Sequence, residues 1–123
     1  MRFSPSWVES VIIKNHPRWR DVMDVTILLG SSSDLPIAQK CTKILEHFDV
    51  PYQLRVASAH RSPKFVEQIV GDAIDDGCSV FIAMAGLAAA LPGAVAALTT
   101  KPVIGVPCGG RVPYDSLLSI AQL

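Results

Sequence analysis

The chain has no surplus charge of either sign: Lys and Arg number 11, Asp and Glu number 11, and no basic cluster stands out among the 123 residues. That removes the electrostatic footprint expected of a nucleic-acid-binding protein. Cysteine is scarce, and Cys41, Cys78 and Cys108 show no metal-site spacing. An odd number of isolated cysteines reads as small core or near-surface thiols in a reducing compartment, so a cytoplasmic location is expected. The N-terminus lacks the continuous apolar core of a secretory signal. Charge is missing altogether from Gly77 to Thr100, a length that could span a bilayer. Within it, Val80, Phe81 and Ile82 are strand formers, Ala88 to Ala90 favour helix, and Pro92-Gly93 interrupts the run. A buried strand, a loop and a buried helix explain the same apolarity, and no membrane partner is expected.

Half of the residues are hydrophobic, enough for one globular domain with a sizeable core. The chain is organised around Ser58-Ala59-His60-Arg61, which lies between an alternating apolar run (Tyr52, Leu54, Val56) and a helix opened by Pro63. A strand end that meets a helix start is where open α/β sheets place their ligands. Arginine presents a fixed-charge fork suited to phosphate, and serine donates to phosphate oxygens. Imidazole is the side chain that exchanges protons near neutral pH. His16 and His47 have no such setting and read as structural, and Lys40, Lys43 and Lys64 as solvated helix residues.

Residues 1–22 show no clear period, although Val8, Val11 and Ile12 could share one helical face, and are read as a weakly structured extension. Residues 23–123 read as one α/β domain. Val25 to Leu29 is a continuous apolar run, as in a central parallel strand covered on both faces. Gly30-Ser31-Ser32-Ser33-Asp34 follows, then a helix with Ala38, Cys41, Leu45 and Phe48 on one face, beside Ile37 and Ile44. Ser33 or Asp34 is placed to cap it, with Pro36 in its first turn. Such a loop offers N–H groups and hydroxyls to an anion, and equally describes an ordinary capped turn.

Asp49-Val50-Pro51 turns the chain into the second strand. Ser62 caps the next helix, whose buried side is Phe65, Val66, Ile69, Val70 and Ala73, and Gly77 ends it. Asp75 and Asp76 oppose the helix dipole and read as surface acids. A third strand is expected over 79–83 and a fourth over 103–106, ended by Pro107. Between them, residues 85–93 carry no polar side chain, so their chemistry must come from backbone groups and close approach. Asp115 is expected to cap a last helix over 116–123. The order β-α-β-α-β-α-β-α predicts a three-layer α/β/α sandwich around a parallel sheet, flavodoxin-like or Rossmann-like. Loops 30–34, 57–61 and 84–90 then meet at one sheet edge in a shared pocket.

Five motifs, in order and spacing, resemble the PurE family: Gly-Ser-Ser-Ser-Asp (30–34), Ser-Ala-His-Arg-Ser-Pro (58–63), Ala-Gly-Leu-Ala-Ala-Ala-Leu-Pro-Gly (85–93), Pro-Val-Ile-Gly-Val-Pro (102–107) and Asp-Ser-Leu-Leu-Ser-Ile (115–120). That family comprises N5-carboxyaminoimidazole ribonucleotide mutase, also described as the catalytic subunit of phosphoribosylaminoimidazole carboxylase. The resemblance implies de novo purine biosynthesis, a small-molecule ribonucleotide substrate and a homo-octamer with active sites at subunit contacts. It implies that Ser31 meets the substrate phosphate and Asp34 the ribose hydroxyls, that Ser58 and Arg61 are further phosphate contacts, and that His60 is the acid/base. Gly86 and Leu87 match the loop that closes over the base and carboxylate. No cofactor or metal is expected. The family usually carries His where this chain has Ala90. It also continues beyond the point matched by Gln122-Leu123, so a C-terminally truncated domain is expected. Mutase activity is the leading expectation. A carboxylase using free CO₂ and a non-catalytic nucleotide-phosphate binding module are the alternatives, and a turnover assay with each substrate separates them.

Overall fold

The computed structural model describes residues 12–13, 24–86 and 89–109. The element order is β1 (Ile12–Ile13), β2 (Val25–Leu29), α1 (Leu35–His47), β3 (Tyr52–Val56), α2 (Pro63–Asp75), β4 (Val80–Gly86), α3 (Ala90–Ala96) and β5 (Val103–Cys108), with a 3-10 turn at Ser32–Asp34. The sheet order is β1-β3-β2-β4-β5. β3, β2, β4 and β5 are mutually parallel, as the sequence pattern predicts, and β1 is antiparallel to β3. Ile12, a candidate for a helical face, therefore lies in a strand. The expected helix over 116–123, its Asp115 cap, and Val8 and Val11 lie outside the described residues.

All five residues of β2 are buried, as a central strand requires. Its one polar member, Thr26, accepts a hydrogen bond from Gln53 Nε2 on β3 at 3.0 Å, so two buried polar side chains satisfy each other. Alternate residues feed two cores. Ile27, Leu29, Leu54, Ile82 and Met84 pack with Ala38 of α1 on one face. Leu28, Phe81 and Ala83 pack with Val66, Ile69 and Val70 of α2 and with Leu91 and Val95 of α3 on the other. This is the three-layer arrangement.

The helices differ from the sequence reading in instructive ways. Ala38 and Thr42 of α1 are buried and Cys41 and Leu45 half-buried, whereas Ile44 is 59% and Phe48 69% exposed. Phe48 follows the last helical residue, and the chain then turns at Asp49 (φ 54°) away from the buried stripe. Neither expected cap forms in the usual way. Asp34 occupies the N-cap position of α1 with no side-chain bond, and Ser62 does the same for α2. The Ser62 hydroxyl instead donates back to the Ser58 carbonyl at 3.3 Å. Phe65 of α2 is only half-buried, and the Arg55 guanidinium lies 5.4 Å from its ring centroid. Gly77 closes α2 as expected, at φ 88°, a conformation that a Cβ disfavours.

β4 runs three residues past its expected end, because Ala85 and Gly86 pair with Pro107 and Cys108 of a longer β5. β5 pairs only with β4 among the described residues, and an edge is where a strand tolerates Pro107. Pro92 lies in the first turn of α3, where no N–H is required of it. The uncharged stretch 77–100 is thus a buried strand and a short helix, and no described helix is long and apolar enough to cross a membrane.

Phe81 is fully buried against α2 and α3. Replacing Phe81 with Ala should cost about 3–5 kcal/mol of unfolding free energy in urea titrations. Gly77→Ala, which forces a side chain into the left-handed region, should cost about 1–2 kcal/mol. A Phe81→Ala loss within the range of a surface substitution, about 0.5 kcal/mol, would contradict this packing.

Candidate active site

The carboxyl ends of the parallel strands are levelled by backbone hydrogen bonds. Ala57 N–H donates to the Leu29 carbonyl at 2.8 Å, and Gly30 N–H to the Met84 carbonyl at 3.0 Å. The loops after β2, β3 and β4 therefore start side by side. After β2 the chain leaves for α1 on one face, and after β4 it leaves for α3 on the other. Neighbouring connections that depart in opposite directions open a crevice at the strand ends. A cavity of about 650 Å³ lies there, within the size of small-molecule sites.

Three loops furnish its polar groups. Ser31 caps the 3-10 turn: its hydroxyl oxygen accepts from Ser33 N–H at 3.3 Å and lies 2.9 Å from the Ser33 hydroxyl. Both serines are exposed along the cavity wall. After β3, Ser62 N–H donates to the Ser58 carbonyl at 2.9 Å, and Arg61 N–H to the Ser58 hydroxyl oxygen at 3.2 Å. This tight turn sets Ser58, Ala59 and His60 on the wall, with His60 exposed. From β4 come Ala85 and Gly86, and from α3 come Ala90 and Leu91. A Cβ on Gly86 would lie 3.3 Å from the Cys108 carbonyl oxygen, so glycine permits the close approach of β5.

Asp34 is the one acid on the wall among the described residues, and it is buried at 9% exposure. Desolvation raises its carboxyl above the usual range, and a side-chain hydrogen bond with Cys108 acts in the opposite direction. The buried Cys108 thiol is pushed up to about 11 by burial, then by the charge and hydrogen bond of Asp34. Among the described residues, no group of three or more His, Cys, Asp and Glu is arranged to hold a metal ion.

Ser31, Asp34, Ser58, His60 and Gly86, all singled out in the sequence, thus share one cavity. Arg61 does not line it: the turn that seats Ser58 and His60 leaves Arg61 exposed beside it. Leu87 lies outside the described residues. Ala59, Ala85, Ala89, Leu91 and Gly109 also line the cavity, and they carry no chemical signal except position at a strand end. At Ala90, where a histidine is the residue usually expected from the family resemblance, a methyl group leaves this part of the wall apolar.

A Methanocaldococcus jannaschii protein named N5-carboxyaminoimidazole ribonucleotide mutase is 54% identical over 100 residues, which cover 80% of this chain and 62% of the relative. An Aliivibrio fischeri protein of the same name is 47% identical over 103 residues, covering 82% and 64%. The crystal structure of Treponema denticola PurE superposes with a TM-score of 0.69 at 32% identity, over 76% of this chain and 63% of that one. The chain spans between 30% and 62% of the length of the first curated relatives it matches. The sheet and helix arrangement is the flavodoxin-like α/β fold of these PurE structures. The family model for AIR carboxylase matches residues 24–123, and the chain belongs to the AIR carboxylase family.

Proposed function

We propose that this chain catalyses the N5-carboxyaminoimidazole ribonucleotide mutase reaction of purine biosynthesis, moving a carboxylate from the exocyclic nitrogen to C4 of the imidazole. The observation that carries this reading is the convergence of Ser31, Asp34, Ser58 and His60 on one cavity whose remaining wall is largely Ala, Gly and Leu. The relatives named as mutases support the same reaction.

The reaction needs little machinery. The Ser31–Ser33 turn and Ser58 bind the phosphate through hydroxyls and N–H groups, and Arg61 reaches it from the rim as a fixed charge. Asp34 accepts the ribose hydroxyls. The carbamate C–N bond breaks, its electron pair stays on nitrogen, and protonated His60 supplies the proton that nitrogen takes up. The freed CO₂ is held in the apolar part of the cavity, with Gly86 and Ala90 excluding water; the family resemblance gives Leu87 the same part. The electron-rich C4 attacks CO₂, and neutral His60 removes the C4 proton. Atoms balance, and one imidazole serves both transfers. No oxidant or reductant enters.

Exposed apolar side chains on α1 (Ile44), just after it (Phe48) and on β5 (Ile104, 53% exposed) support assembly as a homo-oligomer, octameric as the family resemblance implies. Cys41, Cys78 and Cys108 form no disulfide among the described residues, which favours a reducing, cytoplasmic setting.

Turnover of N5-carboxyaminoimidazole ribonucleotide, with none of aminoimidazole ribonucleotide plus free CO₂, is the expected assay result; the reverse would assign the carboxylase reaction. His60→Asn should lower turnover about a hundredfold or more with little change in ribonucleotide affinity. Arg61→Ala should do the opposite, weakening binding about tenfold with turnover nearly kept. Full turnover in His60→Asn would put the proton carrier elsewhere. Light scattering should return an octamer, and a monomer at micromolar concentration would remove the assembly from this reading.

A further inference from the structure

Ser58, Ala59 and His60 reach the cavity on a turn that is closed on itself but has to be aimed. Ser62 N–H and the Ser62 hydroxyl both donate to the Ser58 carbonyl, at 2.9 and 3.3 Å, and Arg61 N–H donates to the Ser58 hydroxyl oxygen at 3.2 Å. The N–H groups of Phe65 and Val66 donate in turn to the Ser62 carbonyl, at 3.0 and 3.2 Å, and join this turn to the start of α2. The two move as one piece. Where the turn points is decided by what fixes the start of α2 to the sheet.

The usual anchors are weak there. Ser62 makes no side-chain cap bond, and Pro63 and Lys64 are exposed. Phe65 is the first side chain of α2 to pack against the core beneath, and it is half-buried. The Arg55 guanidinium lies over its ring, 5.4 Å from the centroid, within the range of cation–π attraction.

Strand register puts Arg55 in that place. It pairs with Leu28 of β2, and it alternates with Leu54 and Val56, whose side chains join the core on the α1 side, so its own side chain faces α2. Its Nε is buried without a hydrogen-bond partner among the described residues, so no acceptor there places that atom. The Phe65 ring receives the guanidinium, and the charge of Asp72, about two turns further along α2, favours the ionised form against burial. Arg55 and Phe65 thus stand at the two feet of segment 56–64, one on the strand that enters it and one on the helix that leaves it.

We propose that Arg55 is a positioning residue: by holding the Phe65 ring it fixes the start of α2 on the sheet, and with it the pose in which the turn presents Ser58 and His60 to the cavity. The consequence for catalysis rests on the function proposed above, and the clamp itself does not. Proton transfer by His60 depends on alignment with the reacting atoms. The phosphate is also held by the Ser31–Ser33 turn, on another loop, so binding depends less on this clamp.

The test is amide hydrogen exchange by NMR on the full chain, with steady-state kinetics on N5-carboxyaminoimidazole ribonucleotide in parallel. Arg55→Met keeps the stem and removes the charged head. Phe65→Leu keeps an apolar contact with the core and removes the ring, and Phe65→Tyr keeps the ring. In Arg55→Met, exchange of the Arg61 and Ser62 amides should rise about fivefold, the scale of one partly desolvated cation–π contact, while the amides of β2 and β4 keep their rates. A similar fall in kcat should accompany it, with KM within about twofold. Phe65→Leu should do the same, the double variant should be no worse than either single one, and Phe65→Tyr should match the unmodified chain. Where Arg55→Met does not fold, Phe65→Leu set against Phe65→Tyr carries the same expectation. Additive losses in the double variant, unchanged exchange at Arg61 and Ser62, or an equal rise in β2 and β4 overturns the clamp. Faster exchange at that turn with kcat unmoved overturns the positioning role. If the unmodified chain turns over no ribonucleotide, the proposed function fails, and the amide exchange alone decides the clamp.

Discussion

The structure depends on one topological constraint: β2 and β4 lie side by side, and the chain leaves them toward opposite faces of the sheet. Hydrophobic burial imposes it. β2 is buried on both faces, so helices must cover both, and the connection after β2 and the connection after β4 must part. The space where they part cannot be filled by either helix. A cavity at the carboxyl ends follows from the strand order itself, before any catalytic residue is considered. The two backbone hydrogen bonds that level the ends of β3, β2 and β4 then bring loops distant in sequence to one height.

The wall of that cavity divides into two kinds of surface. One side is made of short polar turns that satisfy themselves locally, as in the bonds of Ser33 and Arg61 to serine hydroxyls. Such turns hold their hydroxyls in place without tertiary help, which suits them to an anion. The other side is Ala, Gly and Leu, where the small size of Gly86 sets how closely β5 approaches. A reaction that releases and recaptures CO₂ needs this combination: fixed polar anchors for the rest of the substrate, and a dry surface beside the reacting atoms. This gives physical content to the proposed chemistry.

Asp34 shows how competing terms are resolved. Removing a carboxylate from water costs several kcal/mol, more than the roughly 1.5–3 kcal/mol of one hydrogen bond to a charged group. Burial therefore prevails, and the carboxyl is raised despite its thiol partner. Burial likewise pushes the Cys108 thiol up to about 11, and the Asp34 charge adds to it.

The sequence by itself determined the order of elements from β2 to β5, the parallel sheet and most of the polar residues that line the cavity. Val25–Leu29 announced a central strand because burial on both faces leaves no polar alternation. Gly77 announced a helix end because only glycine adopts φ 88° without strain. Ser31, Asp34, Ser58, His60 and Gly86 were legible because strand ends and family motifs coincide at them. Tertiary structure alone decided the rest. Phe48 carries a helical spacing but follows the helix end, where the chain turns outward, so periodicity could not place it. Ala85 and Gly86 read as loop because small residues lack strand propensity, and only pairing with β5 made them strand. Arg61 was grouped with Ser58 by proximity in the chain, yet a turn closed on Ser58 sends neighbouring side chains in different directions. Thr26 and Gln53, hydrogen-bonded between β2 and β3, have no relation in the sequence. Contacts between distant residues are fixed by strand register, which no local pattern records.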